Sequence, residues 1–278
     1  MSALRQRVAT ALVLAPLAVA AIVLLPTGAI AVVAAAAFGV ALWEWTRMIG
    51  MTSPISRSAM LVAFAALLVA LWWQRDTAIG WGVVVAGAAW WLLALVWLRH
   101  FSFAAAPTPE NVAIKLAAGT VAIAPAWAAL LHIHGGEPRG HLWTLFALLL
   151  VWAADTFAYF AGRQWGRAKL APRISPGKTI AGAWGALGGT VLVAVVGGWL
   201  LGERGVALVL LIVVALITTV FSIVGDLFES LIKRQGNTKD SGSLFPGHGG
   251  LFDRLDSVFA ALPVFAVGKA ALDLMSGP

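Results

Sequence analysis

The run VALVLLIVVALITTVFSIVGDLFESL, residues 206–231, decides the fold, because no charged residue interrupts it before Asp226. A helix needs roughly 20 mainly apolar residues to cross a bilayer, and only a segment that satisfies its own backbone can stay there. The whole chain has the same character. Hydrophobic residues fill 61% of its 278 positions and charged residues only 11%, with a mean hydropathy of +0.91. A soluble domain carries about a quarter charged residues. Too little charge is present to cover a water-facing surface, so the chain reads as an all-α integral membrane protein.

Eight further segments approach the same length: 8–25, 28–46, 57–73, 78–98, 116–132, 141–162, 180–201 and 254–274. The breaks between them carry turn chemistry, as at Pro26-Thr27-Gly28, between Gly50 and Pro54, and at Pro107 and Pro109. Arg5 and Arg7 before the first run resemble the opening of a signal peptide. That run passes directly into the second with no convincing cleavage site, which predicts a retained first helix. Lys and Arg divide 15 to 4 between alternate sides of the nine spans. The positive-inside rule then predicts a cytoplasmic amino terminus and a periplasmic carboxyl terminus. Residues 1–135 hold about five Ala-, Val-, Leu- and Trp-rich spans. Residues 136–278 hold about four, with cytoplasmic loops at 163–179 and 232–253 that contain most of the reactive side chains.

Composition also excludes some chemistry. Without cysteine there is no disulfide and no thiolate metal site. A net charge of +7 would suggest nucleic acid in a soluble protein. Here basic residues at helix ends facing anionic lipid head groups explain it, and no nucleic acid is expected. Interfacial belts and helix packing account for most of the fourteen Trp.

Five of the twelve acids, Asp76, Glu110, Glu137, Glu203 and Asp273, fall in loops or near an outer helix end, where solvent explains them. Asp155 lies inside the sixth span, about 12 Å from Arg163 at helical rise, with Tyr159 one turn on. An ionisable group at that depth needs a polar cavity or a partner, and a packing ion pair would serve as well as a binding site. Asp226, Ser230 and Lys233 form one polar stripe at i, i+4 and i+7, flanked by Glu229 and Arg234. The stripe fits a metal with a phosphate, or a salt-bridged helix face. A glycine-rich loop with Lys239, Asp240 and His248 follows, and Gly249 and Gly250 lead into Asp253, Arg254 and Asp256. Glycines let backbone N–H groups approach an anion, and carboxylates beside phosphate-binding bases suit Mg²⁺. The acids would also cap the last helix. A second basic cluster holds Arg163, Arg167, Lys169, Arg173 and Lys178, within which Ser175, Lys178 and Thr179 belong to an SPGKT run that lacks the spacing of a Walker loop.

The string SLIKRQGNTKDSGSLFPGHGGLFDRLD, residues 230–256, closely resembles the signature of the phosphatidate cytidylyltransferases: S-x-hydrophobic-K-R-x4-K-D, a short loop, H-G-G and D-R-x-D. The resemblance extends to Gly225-Asp226-Leu227, to Asp155-Thr156 with Tyr159 and Gly162, and to Ser175-Pro176 with Lys178-Thr179. One departure stands out, since that family often has Glu where this chain has Ala181.

The resemblance implies a Mg²⁺-dependent enzyme that joins CTP to phosphatidic acid, giving CDP-diacylglycerol and pyrophosphate. It also implies a homodimer in the bacterial inner membrane whose site faces the cytoplasm. A second cation such as K⁺ is left open. On this reading Asp226, Asp253 and Asp256 hold the metal. Lys239, His248, Arg254, Gly249 and Gly250 take the triphosphate, with Asp240 beside them. Ser230, Lys233, Arg234, Arg173, Ser175, Lys178, Thr179, Asp155 and Tyr159 bind substrate. A CTP-dependent lipid kinase and an ion-coupled transporter are the alternatives, and the absence of an internal repeat argues against the second.

Overall fold

The computed structural model describes residues 15–242, 244 and 249–276. A short helix α1 (Ala15–Leu24) precedes α2 (Thr27–Met48), α3 (Pro54–Gln74), α4 (Ala78–Arg99), α5 (Pro109–His134) and α6 (Gly140–Trp165). A hairpin of β1 (Lys169–Ala171) and β2 (Ser175–Thr179) leads into α7 (Ile180–Leu201), α8 (Gly205–Gln235) and α9 (Phe252–Ser276). Among the described residues, α2 to α9 are eight helices long and apolar enough to cross a membrane. The expected first span, 8–25, falls partly outside the described residues.

Helix starts follow the expected chemistry. Thr77, Thr108 and Thr179 accept hydrogen bonds from Gly80, Asn111 and Gly182 N–H groups, which supplies the side-chain oxygen that an exposed first turn lacks. Pro54 and Pro109 sit at first positions, where a missing N–H costs nothing.

The architecture is all-helical as expected, apart from one small hairpin between α6 and α7. The stretch read as a cytoplasmic loop at 163–179 closes as a two-stranded antiparallel hairpin, pairing Lys169 with Thr179 and Ala171 with Ser175. Ile174 N–H donates to Ala171 O across the turn. Strands of three and five residues, one containing Pro176, show no readable alternation in sequence.

Side-chain ties join the helix ends in two sets. At one end Arg57 donates to Trp43 O, Gln235 to Phe101 O, and Arg234 to Ile174 O. At the other, Thr27 bonds His134 and Arg139 donates to Leu201 O. The chain therefore runs up and down, and the ends of α2, α4, α6 and α8 meet the starts of α3, α5, α7 and α9. Helices α5 and α9 are the most enclosed of the long helices. Beside them Phe228 stacks on Trp45 and meets the rings of Trp90, Trp91 and Trp97 edge to plane, a packing role for four of the tryptophans. Trp73, Trp165, Trp184 and Trp199 are exposed, as a lipid-facing belt requires.

Candidate active site

Helices α8 and α9 supply the acids. They approach closely because Gly225 has no side chain, and a Cβ there would press on the backbone oxygen of Asp256. Ligand atoms of Asp226, Glu229 and Asp256 consequently lie within 4.8 Å of one another. Like charges this close repel strongly in a poorly solvated site. Two lysines offset part of that repulsion: Lys178 Nζ lies 2.5 Å from Asp226 Oδ2, and Lys233 Nζ 2.7 Å from Glu229 Oε2. Glu229 Oε1 is buried and meets no N–H or hydroxyl donor among the described residues, while the Glu229 carboxyl group lies within hydrogen-bond reach of Asp253. Such a carboxylate oxygen beside two further carboxylates is the donor set that a hard divalent cation takes.

The expected metal residues divide. Asp226 and Asp256 are in the cluster, and Glu229 stands with them where Asp253 was expected. Asp253 accepts instead from Lys233 Nζ at 2.9 Å, Ser241 N–H at 3.1 Å and Gly250 N–H at 2.7 Å. Its carboxylate thus ties the two sides of the glycine-rich loop to α8. The N–H of Gly250, expected to meet phosphate, is engaged by Asp253, and Gly249 adopts a φ of 77° where a Cβ would strike that same carboxylate.

Other predicted residues distribute around this centre. Ser230 Oγ donates to Asp226 at 3.4 Å. Lys233 bridges Glu229 and Asp253 and does not face outward to a lipid head group. Lys239, Asp240 and Arg254 are exposed. Arg234 is bound to the hairpin turn, and Arg173 lies 5.0 Å over the Phe101 ring. Ser175 begins β2, and Thr179 spends its hydroxyl capping α7. His248 lies outside the described residues.

A cavity of 380 Å³ adjoins the acids, lined among others by Asp155, Tyr159, Arg163, Lys178, Thr179 and Asp226. Its walls come from α6, both strands of the hairpin, α7, α8 and α9, which brings together the mid-span Asp155 and the hairpin Lys178. Glycines let α6 and α7 touch here: a Cβ on Gly185 would overlap Ala161, and one on Gly189 would overlap Phe157.

Residues 5–270 match the Cytidylyltransferase family over nearly the whole chain. The chain belongs to this family. It is 38% identical to the phosphatidate cytidylyltransferase of Pseudomonas aeruginosa over 269 residues, which covers 95% of this chain and 96% of that protein. The corresponding figures for the Haemophilus influenzae phosphatidate cytidylyltransferase are 32% over 283 residues, 95% and 97%. A Brucella abortus phosphatidate cytidylyltransferase is 43% identical over 155 residues, about half of each chain.

For a cytidylyltransferase family member the arrangement is chemically apt. Transfer of a nucleotidyl group develops negative charge on oxygen, which calls for fixed cations and preorganised donors and little covalent chemistry from the protein. Glu229 of the acid cluster carries no assigned role in the sequence reading. It is visible on the polar stripe, but spacing alone cannot rank it against Asp253. One further acid has a sequence signal of its own: Glu44 is the only carboxylate inside the first five predicted spans.

Proposed function

We propose that this chain is a phosphatidate cytidylyltransferase, transferring CMP from CTP to phosphatidic acid to give CDP-diacylglycerol and pyrophosphate. The single observation that carries the site assignment is the Asp226, Glu229 and Asp256 cluster, with a buried Glu229 oxygen that no N–H or hydroxyl donor among the described residues reaches, set beside a cavity between membrane helices. The chain-long relationship to two proteins bearing that name supports the reaction.

In this reading the three acids hold Mg²⁺. The bound ion supplies charge neutralisation on the triphosphate. Lys178 waits in the cavity on Asp226 and meets the phosphatidate phosphate, with Asp155 and Tyr159 lining the approach. Lys239 and Arg254, exposed at the loop and the start of α9, take the outer phosphates of CTP. A phosphatidate oxygen attacks the α-phosphorus, the bond from that phosphorus to the bridging oxygen breaks, and pyrophosphate leaves with the electron pair. The nucleophile is already anionic, so alignment and charge do the catalysis. The 15-to-4 division of basic residues supports a cytoplasmic site in the bacterial inner membrane, where CTP is available.

Purified protein given CTP, Mg²⁺ and phosphatidic acid should release pyrophosphate only when all three are present. Release of CDP would mark a lipid kinase. Retention of every nucleotide phosphate would leave only a non-transferring role.

A further inference from the structure

The carboxylate of Glu44 reaches the site from the opposite half of the chain. It lies at the far end of α2, 7% exposed, beside the anchored Trp45, whose ring stacks between Phe228 and Phe252 and whose Nε1 donates to Lys115 O. Three donors converge on it: Ser241 Oγ at 2.9 Å, Leu251 N–H at 3.0 Å and Phe252 N–H at 2.7 Å. The last two are orphan donors at the start of α9, so Glu44 caps from another helix the element that carries Asp256. Ser241 is fully buried and also receives Asp253 N–H. Gly242 and Gly250 leave the room, since a Cβ on either would overlap the Glu44 carboxylate.

We infer that Glu44 is a positioning residue for the proposed nucleotide transfer: it pins both ends of the glycine-rich loop and sets the height of α9 so that Asp256 meets Asp226 and Glu229. This rests on the metal role proposed for the acid cluster. A cap serving only stability would need neither both ends of the loop nor two glycines cleared around it. Among the described residues the partners of Glu44 are Ser241, Leu251 and Phe252, so its effect on the acids passes through the loop and the backbone at the start of α9.

Glu44→Gln retains the shape and removes the charge and one acceptor. In purified full-length protein it should lower kcat and raise the Mg²⁺ concentration for half-maximal activity, each by about 10- to 100-fold, the range for a residue that orients a metal ligand. The KM for phosphatidic acid should hold. Deuterium uptake in the peptide covering 249–255 should rise while the helical signal and melting temperature stay near wild type. Unchanged kcat and Mg²⁺ dependence, or faster exchange with activity intact, would overturn the role of Glu44. Should Glu44→Gln fail to fold, Ser241→Ala decides. It removes one of the three contacts and should move the Mg²⁺ midpoint the same way; no movement overturns the inference. A wild-type protein that makes no lipid product would overturn the proposed function instead, and the exchange data, which need no turnover, would still report whether Glu44 holds the loop.

Discussion

At the scale of single residues, the cluster has more carboxylates than lysines, and that imbalance separates ligands from supports. Asp226, Glu229 and Asp256 converge, and each should be intolerant of neutralisation. Glu229→Gln and Asp256→Asn are expected to lower CTP-dependent lipid labelling at least about 100-fold, the scale of removing a charge-handling group from an active site, with folding retained. Activity near wild type in either would remove that residue from the set. Asp253 should behave differently. Asp253→Ala leaves Ser241 and Gly250 N–H groups without an acceptor, which costs about 1–3 kcal/mol, and the melting temperature should fall along with activity. The string 230–256 displayed all the acids but could not rank them. Asp253 and Asp256 share a helical face by spacing, and only the crossing of α8 and α9 shows that Asp253 turns to Lys233 and the loop. Glu44 lies some 200 residues from its partners in sequence, so local pattern carried no trace of the contact.

At the scale of elements, the helices were legible because lipid leaves the backbone almost no other choice, and long apolar runs with Pro, Gly and Thr at their ends mark the spans directly. The β1–β2 hairpin was illegible for the converse reason: it is short, polar and held by contacts at its ends. Close approach between helices rests on glycine. Gly225→Ala should force α8 and α9 apart at the height of the acids, costing about 1–3 kcal/mol of stability and separating Asp226 from Asp256. A thermal melt and an activity assay should fall together; activity retained at lowered stability would show that the acid spacing is not set there. Thr179→Ala should be milder, losing about 1 kcal/mol of helix capping at α7.

At the scale of the molecule, the eight long helices among the described residues carry the acid cluster toward one end, and contacts from Arg57, Arg234, Gln235 and Glu44 close that end as a unit. The absence of cysteine makes the orientation directly measurable, because a single introduced thiol is the only one present. Lys239→Cys in sealed inside-out vesicles should react with a membrane-impermeant maleimide, and in right-side-out vesicles it should not; the reverse pattern would invert the topology. The central claim, that CMP moves from CTP to phosphatidate at the acid cluster, is tested most directly by where the label goes. With phosphatidic acid and Mg²⁺, CTP labelled at its α-phosphorus should yield labelled lipid with the wild type and essentially none with Glu229→Gln, while CTP labelled at its γ-phosphorus should yield none with either. Lipid carrying the γ-label, or undiminished α-labelling by Glu229→Gln, would contradict it.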